Sequence, residues 1–167
     1  MSRCKTSVAT LRATAIAVAI SAATFVAGTA IADEAANKAT VQKAFDAWAA
    51  GTGSPYDLLA DNVAWTITGN SAASKTYGSK DAFINEVIKP FNARMSVGLK
   101  PTIRNMYAEG DTVIVFFDAA GTARDGQPYK NTYAWFLDLD GGKIVTASAF
   151  FDSIAFNKLW ELPVAAE

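Results

Sequence analysis

Asn131, Tyr133 and Asp152 are isolated polar groups within otherwise apolar sequence running from Gly110 to Asp152. Such groups mark the places where a curved sheet enclosing an apolar pocket would do chemistry. A carboxylate at a pocket mouth can be an acid or base with a raised pKa. An amide and a phenol can orient a ligand carbonyl or a catalytic water. The chain has no His, and its single Cys is Cys4. Imidazole bases, Ser-His-Asp triads and most zinc sites are thereby excluded, as are disulfides and thiolate catalysis in the rest of the chain. Acid–base work therefore falls to Asp, Glu, Tyr or Lys.

Each candidate also has a structural use. Asp152-Ser153 precedes a helical stretch, Ile154 to Trp160, so Asp152 can serve as its N-cap. Strand parity points the same way. Val145, Ala147, Ala149 and Phe151 read as the inward set, which leaves Asp152 on the other face unless the strand ends or bulges there. Asn131 shares a face with Tyr133 and Trp135, and its amide could equally bond a strand edge or Tyr133. Trp65 is a pocket wall or plain core.

The elements that must position these groups follow from periodicity. Val41, Phe45 and Trp48 form the apolar face of a helix over Glu34 to Ala50, stopped by Gly51-Thr52-Gly53. Ser54-Pro55 starts a short helix with Asp57 near its positive end. Asn62 to Thr68 alternates, with Val63, Trp65 and Ile67 on one face. Gly69 to Gly78 reads as a loop. Ser79 caps a third helix with Phe83, Ile84, Val87, Ile88 and Phe91 as its stripe, disturbed near Pro90. Four strands follow: Leu99 to Tyr107, Thr112 to Ala123, Tyr129 to Leu139 and Lys143 to Phe151. Asp125-Gly126 and Asp140-Gly141-Gly142 turn between them. Helices followed by a meander predict an α+β domain. Val113, Val115 and Phe117 on one face, backed by Ile114 and Phe116 on the other, leave no wet face. The outer face is therefore expected to be covered by the chain's own terminus or by a second copy, with a homodimer as the expectation.

Arg3, Lys5 and Arg12 precede an uncharged run over residues 13 to 32 that ends in Ala30-Ile31-Ala32. This predicts a secretory signal peptide over residues 1–32, removed on export to a periplasm or beyond, rather than a membrane anchor. Of the chain's 15 basic and 16 acidic residues, three basic ones lie in that segment, so residues 33–167 carry a net −4. Nothing in that balance suggests a nucleic-acid partner, and no membrane partner is expected once the signal is removed.

The ordered set of Leu58 to Trp65, Tyr77-Gly78, Gly110 to Val113, Asn131-x-Tyr133-x-Trp135, Gly142-Lys143-Ile144 and Phe150-Phe151-Asp152 resembles the nuclear-transport-factor-2-like superfamily. Within it the chain is similar to SnoaL-like, ketosteroid-isomerase-related proteins. The resemblance implies a cone-shaped, curved antiparallel sheet with three N-terminal helices on its concave face. Ile67, Ala44 and Trp135 occupy the positions that correspond to the isomerases' Asp base, Tyr and second Asp, so that mechanism is not expected. Phe117 and Ala119 fall where limonene epoxide hydrolases carry an Arg and an Asp. Asp152 matches the carboxylate that remains. The resemblance thus implies an apolar pocket for a small molecule, with isomerase, cyclase or hydrolase chemistry through Asp152. Asn131 and Tyr133 would orient the substrate, Trp65, Trp135, Val115 and Phe117 would wall it, and no cofactor or metal would be needed. The alternative is a non-catalytic ligand-binding or assembly module of the same fold.

Overall fold

The computed structural model describes the backbone of residues 23–164 and the side chains of residues 33–164. The expected leader, residues 1–32, lies outside the described residues up to position 22. Among the described residues no helix is long and apolar enough to cross a membrane. Helix α1 (Ala23–Ala50) is followed by a 3₁₀ turn (Pro55–Leu58) and strands β1 (Leu59–Ile67) and β2 (Thr76–Tyr77). Then come α2 (Lys80–Phe83), a π-helical turn (Ile84–Ile88) and α3 (Lys89–Asn92). Strands β3 (Met95–Glu109), β4 (Thr112–Ala123), β5 (Pro128–Asp140) and β6 (Lys143–Phe151) precede α4 (Ser153–Trp160).

The six strands form one curved, unclosed sheet in the order β2-β1-β6-β5-β4-β3. One detail corrects the sequence expectation. β1 runs parallel to β6, so the sheet is mixed rather than antiparallel. Alternation in sequence reports which face a residue takes, not the direction of its neighbour. Register shifts in β3 at Met95/Val97, Val97/Lys100 and Ile103/Asn105 bend the sheet. At that bend Gly121 is obligatory, because a Cβ there would stand 2.6 Å from the Val97 carbonyl oxygen.

The inner face is a register of apolar rungs. Val113 pairs with Leu137, Val115 with Trp135 and Phe117 with Tyr133. Trp135 and Leu137 in turn pair with Ala149 and Ala147. Phe45 and Trp48 of α1 cover this face, with Phe45 5.0 Å edge-on to Phe117. The inward residue near the start of β6 is Ile144 rather than Val145, since a bulge between Asp138 and Leu139 shifts the parity. Pro90 leaves its mark one turn earlier than its own position. It lacks an N–H, and the preceding turn widens so that the Lys89 N–H reaches Ile84 O. The buried Arg94 then ties down the end of α4 and the residues just after it. It donates to the carbonyls of Pro90, Trp160 and Leu162, and its guanidinium lies 4.6 Å from the Trp160 ring centre.

Candidate functional site: an aromatic cavity

The cavity, of about 510 Å³, opens between the inner sheet face, the 3₁₀ turn, the α2–α3 segment and α4. That size suits a small organic ligand. β1 contributes Trp65 and Ile67, β5 Tyr133 and Trp135, and β6 Ala149 and Phe151, all on the inward parity. Phe83, Val87 and Phe91 project from the α2–α3 segment, and Phe156 from α4. Trp48 and Tyr56 complete the wall near the 3₁₀ turn.

That turn is fixed locally. Ser54 Oγ accepts the Tyr56 N–H at 3.1 Å, and Asp57 Oδ2 accepts the Ser54 N–H at 2.9 Å, a reciprocal capping box. The box aims Tyr56 into the cavity and sets the exposed Asp57 at its edge. Burial, and secondarily the charge of Tyr129, pushes the Tyr56 phenol well above its ordinary pKa of 10.0. Nothing in the sequence pattern marks Tyr56 as a cavity residue, although the Ser-Pro-x-Asp signal around it locates the turn.

Trp65 stacks on Phe83 with ring centres 4.4 Å apart and meets Trp135 edge-on at 5.1 Å. Its indole Nε1–H is buried without a hydrogen-bond partner, an uncommon state for a buried donor. Tyr133 stacks on Phe117 at 4.9 Å, and its hydroxyl lies 3.2 Å from that of Tyr129. Asn131 Nδ2 donates to the Tyr129 hydroxyl at 3.0 Å. Burial dominates at both phenols and raises their pKa values, that of Tyr133 strongly. Both therefore remain protonated donors at neutral pH.

Of the residues expected to form the site, Trp65, Tyr133 and Trp135 do line the cavity, and four do not. Val115 and Phe117 are fully buried and do not reach the cavity, and Phe45 and Trp48 of α1 pack on Phe117. Asn131 is buried with its amide saturated. Oδ1 accepts the N–H groups of Thr132 and Asp152, and Nδ2 donates to Tyr129 and to Asp152 O. Asp152 is exposed, and its Oδ1 accepts the Ile154 N–H at 2.9 Å as the N-cap of α4. Asn131 and Asp152 border a separate recess of about 420 Å³ beside Lys100, Arg104 and Lys130. The carboxylate expected at the mouth of the apolar pocket is thus a helix cap outside it. β6 ends at Phe151, and the chain turns there into α4. Among the described residues no acidic cluster is disposed to hold a metal ion.

The helix-covered, curved mixed sheet with a deep inner cavity is the nuclear-transport-factor-2-like fold. The family model of the SnoaL-like domain matches residues 41–147, and the chain belongs to that family. A nuclear-transport-factor-2-like protein from Burkholderia thailandensis is 22% identical with a TM-score of 0.60, covering 75% of this chain and 98% of that one. Bal32a, from a soil-derived mobile gene cassette, is 17% identical with a TM-score of 0.63, covering 77% and 99%. A proposed SnoaL-like polyketide cyclase from Jannaschia sp. is 20% identical with a TM-score of 0.61, covering 78% and 94%. No curated protein matches the sequence. At these identities the likenesses establish the fold, a type that serves small-molecule binding and catalysis.

Proposed function

We propose that this protein holds a small, flat, largely apolar molecule in the aromatic cavity, with a carbonyl or comparable acceptor of that molecule against the Tyr133 hydroxyl. The observation that carries this reading is the donor chain from Asn131 through Tyr129 to Tyr133, which ends at a cavity lined mostly by aromatic and aliphatic side chains. Asn131 already donates to Tyr129. An acceptor beside Tyr133 selects the arrangement in which Tyr129 donates to Tyr133 and Tyr133 donates to the ligand. The rest of the ligand is held by apolar burial, worth about 25 cal/mol per Å², and by edge and face contacts with Trp65 and Trp135.

Binding is favoured over acid–base catalysis by the state of the polar groups. The phenols are donors rather than bases, and the Asp152 carboxylate caps a helix. Export of the chain is part of the proposal. It rests on the basic residues before the uncharged run and on Ala30-Ile31-Ala32. N-terminal sequencing of the secreted protein should begin at Asp33.

Trp48, Trp65 and Trp135 line the cavity, so intrinsic fluorescence reports its occupancy. Titration with 2-acetylnaphthalene and 2-ethylnaphthalene should give saturable changes, with the ketone preferred. Tyr133→Phe should erase the preference, roughly fivefold for one hydrogen bond of about 1 kcal/mol, while sparing hydrocarbon binding. If neither compound binds, or if the preference survives in Tyr133→Phe, the reading is wrong.

A further inference from the structure

Tyr56 brings a second phenol to the cavity, and the surrounding side chains give that phenol nothing to bond. Its ring stands among those of Trp48, Trp65, Phe83 and Trp135, with centres 6.3, 6.0, 5.6 and 5.9 Å away. The turn that carries it is pinned on both sides. Ser54 Oγ accepts the Tyr56 N–H, and Lys143 Nζ donates to the Asp57 carbonyl at 3.2 Å. Among the described residues, the one side-chain polar atom sealed away without a partner is Trp65 Nε1. The Tyr56 hydroxyl also lacks a partner there but is not sealed away, so it opens to the cavity that its residue lines. A donor held in an apolar cavity is satisfied by whatever occupies that cavity.

Tyr56 and Tyr133 both flank Trp135, with ring centres 5.9 and 6.3 Å from it. The charge on an ionised Tyr56 would push the Tyr133 phenol up, as that on Tyr129 would push up Tyr56, which places the three hydroxyls within electrostatic reach of one another. The two cavity phenols differ in backing. Tyr133 has Tyr129 and Asn131 behind it, so it is the stronger donor and takes a lone acceptor first. Tyr56 has no such chain and awaits a second acceptor.

The lining also decides the charge of what it accepts. Among the described residues it contains no Lys or Arg, and its one charged residue is Asp57 at the edge. A carboxylate or phosphate would enter with no counter-ion and facing a like charge, whereas a neutral carbonyl oxygen needs only a donor.

Building on the ligand reading above, on which this assignment rests, we propose that Tyr56 and Tyr133 are paired anchors for a neutral, flat molecule carrying two carbonyl-type oxygens, one for each phenol.

Tryptophan fluorescence titration tests the pairing with four probes. 2-Acetylnaphthalene has one carbonyl. 1,4-Naphthoquinone and 2,6-diacetylnaphthalene have two, at short and long spacing. 6-Acetyl-2-naphthoate replaces the second carbonyl by a charged group. One of the dicarbonyls should bind roughly fivefold tighter than 2-acetylnaphthalene, the gain of one hydrogen bond. The naphthoate should bind more weakly than 2,6-diacetylnaphthalene. Tyr56→Phe should abolish the dicarbonyl gain and leave the affinity for 2-acetylnaphthalene unchanged. It should also unfold at the same urea concentration as the natural chain, because no bond within the protein is lost. Failure of 2-acetylnaphthalene to bind overturns the ligand reading and the pairing together. If it binds through Tyr133 but neither dicarbonyl gains, or the gain survives in Tyr56→Phe, the pairing alone is overturned. A Tyr56→Phe variant that loses stability, or that weakens one-carbonyl and two-carbonyl probes equally, marks a structural residue and overturns it too. A naphthoate that binds as tightly as the dicarbonyl overturns the neutral class.

Discussion

Asn131 grips the main chain of Asp152 on both sides. Its Oδ1 accepts the Asp152 N–H at 2.9 Å, and its Nδ2 donates to the Asp152 carbonyl at 3.0 Å. The side chain thus acts as a surrogate peptide, extending the β5–β6 pairing one step past Tyr133 and Phe151. It also fixes where α4 begins, and so where Phe156 enters the cavity wall.

Removing that grip should be costly. Asn131→Ala leaves the Asp152 main chain and the Thr132 N–H without their partner. A loss of about 3 kcal/mol in urea unfolding is expected, as for several buried groups left unsatisfied. Asn131→Asp should not rescue it, because a carboxylate cannot donate to the Asp152 carbonyl.

Asp152 should behave as a cap. Asp152→Ala is expected to lower stability by about 1 kcal/mol, and Asp152→Asn by less, since Asn also caps. Ligand affinity measured by tryptophan fluorescence should be unchanged in both. A fall in affinity with stability intact would return Asp152 to the site.

Phe117 and Trp135 should separate core from cavity wall. Phe117→Ala opens a void beneath Phe45 and Trp48 and should cost about 3–5 kcal/mol. Trp135→Leu should weaken ligand binding more than it weakens the fold. Paired denaturation and titration curves distinguish the two effects.

The buried phenols make stability fall at high pH. Tyr56, Tyr129 and Tyr133 have folded-state pKa values above the ordinary 10.0. Below that value both states hold the proton. Above it the unfolded chain ionises first, and the folded state loses ground by up to about 1.4 kcal/mol per pH unit for each such phenol. Denaturation followed from pH 8 to 11 should show the decline, and Tyr133→Phe should make it shallower.

Local order was legible in the residues themselves. The two-residue alternation placed Val63, Trp65 and Ile67 on one face, and Tyr133 with Trp135 on another strand's inner face. The Ser79 cap, the Asp125-Gly126 turn and the disturbance near Pro90 were readable because each acts within a few residues. The run from Val113 to Phe117 placed apolar side chains on both faces of β4, and Ile114 and Phe116 are half-buried on the outer one. The tertiary structure decided what lies opposite each face. Phe117 and Tyr133 share one parity, yet only Tyr133 reaches the cavity, because α1 covers Phe117. The Asp152-Ser153 signal allowed a cap as well as an acid, and the choice fell to the cap where β6 ends and Asn131 holds the chain. The parallel pairing of β1 with β6 was likewise invisible, since a period of two is the same for either strand direction. Periodicity along a chain encodes orientation about that chain's own axis. Depth, neighbours and the direction of pairing arise only when distant segments are brought together.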